Sequence, residues 1–296
     1  MSDDSKYDYS LDDQNKIFIG NAAAGSLSIM GCTFIIVIFF SYPSLRKLPF
    51  RLIFYLTIAD LGNSIGTIMP YMNGNIYCQI QGYFVSYFGL SSILWCAFIA
   101  HAINVAIISQ QKIDKYEKIY LFLGYIMPLL TFLVLIHKEY EVSLGVCWIK
   151  QTNKLNNEHN IEIILRMITY YIPLLIILIY VCAQHIRVIF AIKRSDVLEE
   201  DSKKISLILI MKLKIYPMIM VMFLLPITII RLTSFSATPR WSLTLLADVG
   251  VGLNGFINSI VYGLTQEVRN ELSKTFCKRK EIELLTIEDQ SELENE

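Results

Sequence analysis

Seven long apolar runs constrain this chain more than any other feature of its sequence. They lie at residues 18–40, 52–72, 80–108, 119–136, 161–192, 206–232 and 243–264. Each can cross a bilayer, since a spanning helix needs roughly 20 mostly apolar residues. Hydrophobic residues make up 54% of the chain and charged residues only 18%, which excludes an ordinary soluble protein. The pattern predicts an all-α fold, a seven-transmembrane helix bundle.

The apolar runs divide the chain into four parts. Residues 1–17 form a polar, acidic extracellular segment without the basic start and apolar core of a cleaved signal peptide, so the first run serves as the insertion signal. Residues 18–264 form the transmembrane domain. Residues 265–280 are charged and amphipathic, which predicts a short cytosolic helix. Residues 281–296 are acidic, and we expect them to be disordered.

Basic residues set the predicted orientation, because short cytosolic loops carry an excess of Lys and Arg. The loops after runs one, three and five and the tail hold most of them: Arg46, Lys47, Arg51, Lys112, Lys115, Lys118, Lys193, Arg194, Lys203, Lys204, Arg269, Lys274, Lys278, Arg279 and Lys280. The other side holds fewer: Lys6, Lys16, Lys138, Lys150, Lys154 and Arg240. We therefore expect a multi-pass plasma-membrane protein with an extracellular N-terminus. The inverted orientation is the alternative.

Two cysteines fall on the predicted outer side, where disulfides persist. Cys78 begins the third run, and Cys147 lies between the fourth and fifth. We expect a disulfide between them; the alternative is two free outer thiols. Cys277 on the inner side is either palmitoylated or unmodified. The remaining cysteines lie within runs and are interpreted as small buried apolar residues: Cys32, Cys96 and Cys182.

Polar residues within the second and seventh runs predict a polar switch core. Asp60 lies two to three turns from the inner end of its run, and a carboxylate there is costly unless it is paired or hydrated. Asn254 and Asn258 lie at a similar depth and share one helix face, four residues apart. We expect the three to meet, with water or a cation, and to relay a change to Tyr262. The alternative is a neutral Asp60 with local hydrogen bonds.

Charged residues near the outer ends of the last runs predict a mouth that favours an anionic ligand. The candidate ligand-binding residues are Lys150, Arg166, Arg231, Arg240 and Asp248. In the alternative interpretation, Arg166 and Arg231 reach to lipid headgroups and Asp248 pairs with one of them structurally.

The sequence carries no signature of catalysis, a metal site or nucleic-acid binding. No metalloprotease, nucleophile-elbow or phosphate-loop motif occurs. His101 and His185 have no second His or Cys at ligand spacing, so they are interpreted as histidines satisfied by local contacts. We predict that the protein is not an enzyme and holds no cofactor or metal.

Three stretches carry a resemblance to a known family. They are GVCWIK (145–150), LSSILWCAFIAHAI (90–103) and LNGFINSIVYG (253–263). Their order and depth resemble those of the slime-mould cyclic-AMP receptors and their plant and protist relatives, which are G-protein-coupled receptors. The resemblance covers about residues 18–277.

Two departures separate the chain from rhodopsin-like receptors. Those receptors carry Asp-Arg-Tyr at the inner end of the third span, where this chain reads NVAIISQQ (104–111). They also carry Asn-Pro-x-x-Tyr in the seventh span, where Ser259 replaces the proline between Asn258 and Tyr262. The chain is therefore closer to the cyclic-AMP-receptor branch.

The resemblance implies a receptor that senses an extracellular small molecule and activates a heterotrimeric G protein. The ligand would be cyclic-AMP-like or another small anion. The residues expected to face the G protein are Arg46, Lys47, His185, Arg187, Lys212 and Lys214. A multi-span solute transporter is the alternative, and it would show repeats or broken helices. A retinal pump is excluded, because residues 243–264 contain no lysine.

Overall fold

The computed structural model describes residues 9–70, 76–109, 111, 113–135, 140–143, 146–149, 164–194, 215–233 and 239–275. Within them the chain forms α1 (Leu11–Ser41), α2 (Leu48–Ile68), α3 (Ile76–Ile107), α4 (Glu117–Leu135), β1 (Tyr140–Ser143), β2 (Val146–Ile149), α5 (Ile172–Arg194), α6 (Ile215–Thr233), α7 (Trp241–Gly252) and α8 (Asn254–Gly263). A turn of π helix, Met167–Tyr171, leads into α5. A further helix, here called the tail helix, covers residues 266–275.

The helices form a membrane bundle, as predicted. Five spans in the described part of the chain are long and apolar enough to cross a bilayer: Leu11–Ser41, Ile76–Ile107, Ile164–Ala191, Ile215–Thr233 and Trp241–Gly263. Helices α2 and α4 complete the set of seven. The central element is α3, which packs against α2, α4, α5 and α6, while α1 packs against α2, α7 and α8.

Helix α1 begins seven residues before the first apolar run. Its N-cap is Ser10, whose hydroxyl accepts a hydrogen bond from Asp13 N–H at 3.2 Å. Asp12 and Asp13 lie in the first turn, where negative charge stabilises a helix. Capping therefore places the start of the helix at Leu11, whereas apolar composition marks only the part able to lie in lipid. Part of the predicted N-terminal segment is helical.

The hairpin of β1 and β2 covers one end of the bundle. The strands are antiparallel, with Val142 opposite Cys147. Cys147 forms a disulfide with Cys78 in the first turn of α3, which confirms the predicted pair. Both sulfurs are buried, and Cys147 N–H donates to the buried Gln81 side chain at 3.2 Å. We call this the disulfide end, and α1 and α3 both start there.

The other end, here called the opposite end, is held by polar and apolar contacts. Arg51 Nη2 lies 2.8 Å from Glu117 Oε2, and Tyr55 donates to Glu117 Oε1 at 2.9 Å, which ties α2 to α4. In the tail helix, Val268 is fully buried and Leu272 packs against the main core. These two residues are four apart and share one face, so the tail helix is amphipathic as predicted.

Helix α1 meets α8 at very short range. A Cβ built on Gly31 would lie 2.6 Å from Ser259 Oγ, and one on Gly255 would lie 2.7 Å from Cys32 Sγ. Both distances are too short for any larger residue without a shift of the neighbouring helix. Glycine at these positions therefore sets how closely the two helices approach.

The seventh span is broken at Leu253, with no proline at the break. Phe256 N–H donates to Ser28 Oγ at 3.1 Å, and Ser28 Oγ donates to the Gly252 carbonyl at 2.5 Å. An uninterrupted helix would join Phe256 N–H directly to the carbonyl four residues earlier. The Ser28 hydroxyl of α1 is thus inserted between that donor and acceptor, and such insertions are a recognised cause of helix kinks.

Candidate functional site

A cavity of about 110 Å³ lies among α1, α2, α3, α6 and α7. Its wall is mostly apolar: Val85, Ile93, Met220, Phe223, Leu224, Ile227 and Val251. Aromatic residues line it towards the disulfide end: Trp148, Tyr170 and Tyr171. Two polar groups also face it, one centred on Asp60 and the other formed by Arg231 and Asp248. A single cavity therefore joins the two regions that sequence reasoning treated separately.

The Asp60 carboxylate accepts three side-chain hydrogen bonds. Asn258 Nδ2 donates to Oδ2 at 2.9 Å, and Asn254 Nδ2 donates to Oδ1 at 3.3 Å. Ser92 Oγ donates to Oδ1 at 2.6 Å. Asp60 is only 4% exposed, and these donors replace the water that a buried carboxylate loses. The structure thus brings three predicted residues together and crosslinks α2, α3 and α8.

Tyr262 lies one turn beyond Asn258 but outside that network. It is fully buried, and its ring packs edge-on against Phe50 with the ring centroids 5.6 Å apart. Its hydroxyl makes no hydrogen bond with any residue that the structure describes. A relay from Asp60 to Tyr262 would therefore pass through α8 itself and not through a side-chain hydrogen bond. The switch role of these residues stays a prediction.

Arg231 and Asp248 form a buried ion pair between α6 and α7. Arg231 Nη2 lies 3.5 Å from Asp248 Oδ1, and the side chains are 14% and 8% exposed. The buried Asn21 side chain of α1 also faces the Asp248 carboxylate. This geometry corresponds to the alternative in which Asp248 pairs with an arginine. A ligand-binding role for the two residues stays a prediction.

Two other predicted ligand-binding residues, Arg166 and Arg240, do not join them at the cavity. Arg166 is buried in the helical turn before the π turn, and Arg240 is the exposed N-cap residue of α7. Neither belongs to the cavity lining formed by the described residues. Lys150 lies outside the described residues. Helix depth was readable from the sequence, but the direction in which each side chain points was not.

Sequence reasoning missed two contributors to the site. Ser92 completes the Asp60 network, and its signal was a polar residue in the third run at the depth of Asp60. Tyr9 was missed altogether: its hydroxyl lies 2.7 Å from Thr244 Oγ1, one helical turn before Asp248. Gln14 Nε2 donates to the Tyr9 carbonyl at 2.9 Å, a local bond that holds Tyr9 against the start of α1. Burial raises the pKa of the Tyr9 hydroxyl.

Four of the residues predicted to face a G protein are described by the structure, and they are spread over the opposite end. Arg46 donates to the carbonyls of Phe39 and Phe40 at 3.2 and 2.8 Å, next to the exposed Lys47. Arg187 is exposed on α5. His185 is half-buried on the same helix. Lys212 and Lys214 lie outside the described residues.

His101 is satisfied locally, as interpreted from the sequence. Its Nδ1 lies 2.6 Å from the Tyr120 hydroxyl. Among the described residues, no group of three or more His, Cys, Asp or Glu forms a metal-binding cluster.

Comparison with known proteins places this architecture in context. Residues 12–278 match the profile of the slime mold cyclic AMP receptor family. G-protein coupled receptor 1 of Arabidopsis thaliana is 26% identical over 273 residues, which cover 88% of this chain and 81% of the relative. Cyclic AMP receptor-like protein A of Dictyostelium discoideum is 26% identical over 276 residues, which cover 90% of this chain and 70% of the relative.

A solved structure shares the fold. The crystal structure of squid rhodopsin superposes with a TM-score of 0.70, covering 91% of this chain and 87% of that chain at 17% sequence identity. The identity is low, so this likeness concerns the helix arrangement alone.

Proposed function

The chain belongs to the slime mold cyclic AMP receptor family, and we propose that it is a G-protein-coupled receptor that senses an extracellular ligand and activates a heterotrimeric G protein. The family and the rhodopsin-like fold support a receptor. The observation that carries the proposal is the cavity lined by both the Arg231–Asp248 pair and Asp60. A ligand bound at one end of this cavity would act directly on the polar core at the other.

The proposed location is the plasma membrane, with the N-terminus outside. The disulfide supports this orientation, because such bonds persist on the oxidising side of a membrane. The Cys78–Cys147 bond lies at the end where α1 begins. The basic loop after α1 then lies in the cytosol, as the distribution of basic residues requires.

The proposed ligand is cyclic-AMP-like or another small anion. Arg231 is the one basic residue among the described lining residues, so it is the group that would meet a negative charge. The cavity of about 110 Å³ is smaller than the roughly 300–1,000 Å³ of ordinary small-molecule sites. A nucleotide would therefore fit only if α6 and α7 moved apart and opened the ion pair.

Ligand binding would act as a population shift. A ligand stabilises whichever state it binds more tightly, and helix displacements at packed interfaces are a common way to link two states. Separation of α6 from α7 at the cavity would change the position of α8, which carries Asn254 and Asn258. The G protein would then bind at the opposite end, near Arg46, Lys47, His185 and Arg187, with Lys212 and Lys214 proposed from the sequence.

A reconstitution experiment tests the proposal. Purified protein in lipid nanodiscs is mixed with heterotrimeric G proteins, and nucleotide exchange is followed with and without cyclic AMP and other small anions. We expect ligand-dependent exchange on at least one G protein. The proposal fails if no G protein responds to a protein that binds its ligand.

A solute transporter is the second candidate, and the break in the seventh span is the observation that favours it. Transporter sites often lie at discontinuous helices near the middle of the bilayer. Leu253 interrupts the span beside Asn254, which lines the cavity. Uptake of labelled cyclic AMP into proteoliposomes without any G-protein response would favour transport. We predict no catalytic activity and no cofactor in either case.

A further inference from the structure

We propose that the Arg231–Asp248 pair is the recognition site for a small zwitterion, whose negative group binds Arg231 and whose positive group binds Asp248. This inference rests on the proposed ligand cavity and replaces a ligand with a single negative charge by a molecule that carries both charges. It concerns binding alone, so it can be tested without a G protein.

The first support is the balance of charge in the cavity. Its described lining contains one guanidinium, on Arg231, and two carboxylates, on Asp248 and Asp60. A simple anion that reached Arg231 would displace Asp248 and leave a carboxylate buried without a cation. Breaking a buried ion pair in this way is strongly unfavourable. A simple cation at Asp248 would likewise separate Arg231 from the carboxylate that it pairs with. A zwitterion inserted between them pairs both Arg231 and Asp248, while Asp60 keeps its hydroxyl and amide donors.

The second support is that the pair leaves buried polar groups unsatisfied. The distance of 3.5 Å between Arg231 Nη2 and Asp248 Oδ1 exceeds the 2.7–2.9 Å typical of a charge-assisted hydrogen bond. The Asn21 amide interacts with the Asp248 carboxylate, but Asp248 Oδ2 and both amide atoms of Asn21 lack a hydrogen bond of regular geometry with a described residue. Buried polar atoms of this kind ordinarily have a partner, from the protein, from water or from a ligand. An ammonium group beside Asp248 would supply donors to its free oxygen and to the Asn21 carbonyl oxygen.

The third support is the size and lining of the cavity. About 110 Å³ suits a molecule of few heavy atoms, and the lining that contains the pair also holds the apolar side chains of Ile227, Leu224 and Val251, beside Thr228 and Tyr171. A charged end and a short aliphatic body match this lining. The ligand class that follows is a small amino acid or a close analogue.

Three matched probes separate the possibilities. Receptor in lipid nanodiscs is heated with alanine, propionate or ethylamine, which carry both charges, the negative charge and the positive charge respectively. A ligand that binds the folded state raises the midpoint of unfolding. We expect alanine to raise the midpoint of unfolding more than propionate or ethylamine does. Valine, which carries the same two charges on a longer aliphatic body, tests how large a side chain the cavity accepts. Equal stabilisation by propionate or ethylamine, or none by alanine or valine, overturns the proposal.

Variants of Arg231 and Asp248 test which residue binds each charged group of the ligand. In Asp248→Asn the advantage of alanine over propionate should disappear, and in Arg231→Gln both probes should lose their effect. Because each single change leaves a buried charge, the double variant Arg231→Gln/Asp248→Asn serves as a neutral version of the pair. It should fold and show no response to alanine. Lys274→Gln, which also removes one positive charge but from a side chain that is 72% exposed on the tail helix, should respond like the wild type. A persistent alanine response in the double variant also overturns the proposal.

The outcome is independent of signalling. If alanine stabilises the receptor but no G protein responds, the zwitterion site stands and the receptor function fails. If cyclic AMP drives nucleotide exchange while neither alanine nor valine stabilises the protein, the receptor function stands and the zwitterion site fails.

Discussion

Ser28 on α1 donates a hydrogen bond to the Gly252 carbonyl on α7 at 2.5 Å. Its hydroxyl thereby takes the position of a backbone donor in the hydrogen-bond pattern of another helix. Its oxygen also accepts from Phe256 N–H, so one hydroxyl satisfies both backbone groups that the break at Leu253 exposes. Because Asn254 follows the break directly, this serine helps to set how the α8 amides reach Asp60.

Ser28→Ala should straighten the seventh span. Without the hydroxyl, Phe256 N–H and the Gly252 carbonyl can bond directly, which draws Asn254 away from Asp60. We expect slower hydrogen exchange at the Phe256 amide, a loss of stability on the order of 1 kcal/mol, and a weaker ligand response. Ser26→Ala is the control, since Ser26 is exposed on the same helix and its hydroxyl donates to the Ala22 carbonyl of that helix. Unchanged exchange at Phe256 would contradict this role.

Asp60→Asn should weaken the polar core without changing its size. The carboxylate accepts from Asn254, Asn258 and Ser92, whereas an asparagine presents an NH₂ group to at least one of these donors. We expect a loss of about 1–3 kcal/mol in the free energy of unfolding, together with reduced ligand-stimulated nucleotide exchange.

Asp114→Asn is the matched control for that change. Asp114 is 66% exposed at the opposite end, so the same carboxylate-to-amide change should leave stability within about 0.5 kcal/mol of the wild type. If Asp60→Asn leaves both ligand response and ion sensitivity as they were, the switch role of the core is wrong.

Cys147→Ser should destabilise the fold substantially. The disulfide joins residues that are 69 apart in sequence, and a closed loop of that length corresponds to about 4 kcal/mol in the chain-entropy model. Thermal unfolding under non-reducing conditions measures the loss, and a reducing agent should have the same effect on the wild type. Cys182 is a free cysteine that is exposed on α5 and not buried as predicted, so Cys182→Ser should unfold at the wild-type temperature. A Cys147→Ser midpoint equal to that of the wild type would rule out a stabilising bond.

Ionisation of the Tyr9 hydroxyl should lower the stability of the folded protein at alkaline pH. Burial raises the pKa of its hydroxyl in the folded state, so the folded protein favours the neutral form. This contribution is present in full below the pKa of an unfolded tyrosine, about 10. It is lost as the pH rises from there through the higher folded value. We expect Tyr9→Phe to lose less stability between pH 9 and about pH 11, measured by thermal unfolding. Parallel pH profiles for the two proteins would contradict this.

Glu117 should contribute little to the free energy of unfolding. Arg51 is 34% exposed and Glu117 16%, so the ion pair is partly screened by solvent. We expect Glu117→Gln to lower stability by about 0.5–1 kcal/mol, and less at high salt. Chemical unfolding at low and high ionic strength measures both. A loss of several kcal/mol that salt does not reduce would mean that Glu117 acts mainly through Tyr55.

The helix bundle was predictable because a helix that crosses a lipid bilayer needs a long, mostly apolar run of residues. Apolar length alone located the helices, and matching depths paired Asp60 with Asn254 and Asn258. The start of α1 was missed although Ser10 and Asp13 have the spacing of a helix cap. The inserted hydroxyl of Ser28 could not be foreseen, because a serine in an apolar run usually bonds its own helix. Arg166 and Arg240 were expected at the cavity because of their predicted depth, but sequence does not say which way each helix is rotated.

The contact between α1 and α8 decides which parts of the bundle can move. With glycine at 31 and 255, the two helices approach closely, and a Cβ at these positions would meet Ser259 Oγ and Cys32 Sγ respectively. The Phe34 ring of α1 lies beside Gly263 on the same seam. We therefore expect sliding along this seam to be restricted, so that the two helices move as one rigid unit. Helix α6 meets its neighbours through longer side chains, among them Phe223 and Met220, that can repack. Helix α6 is therefore the element that we expect to move relative to the rigid pair of α1 and α8.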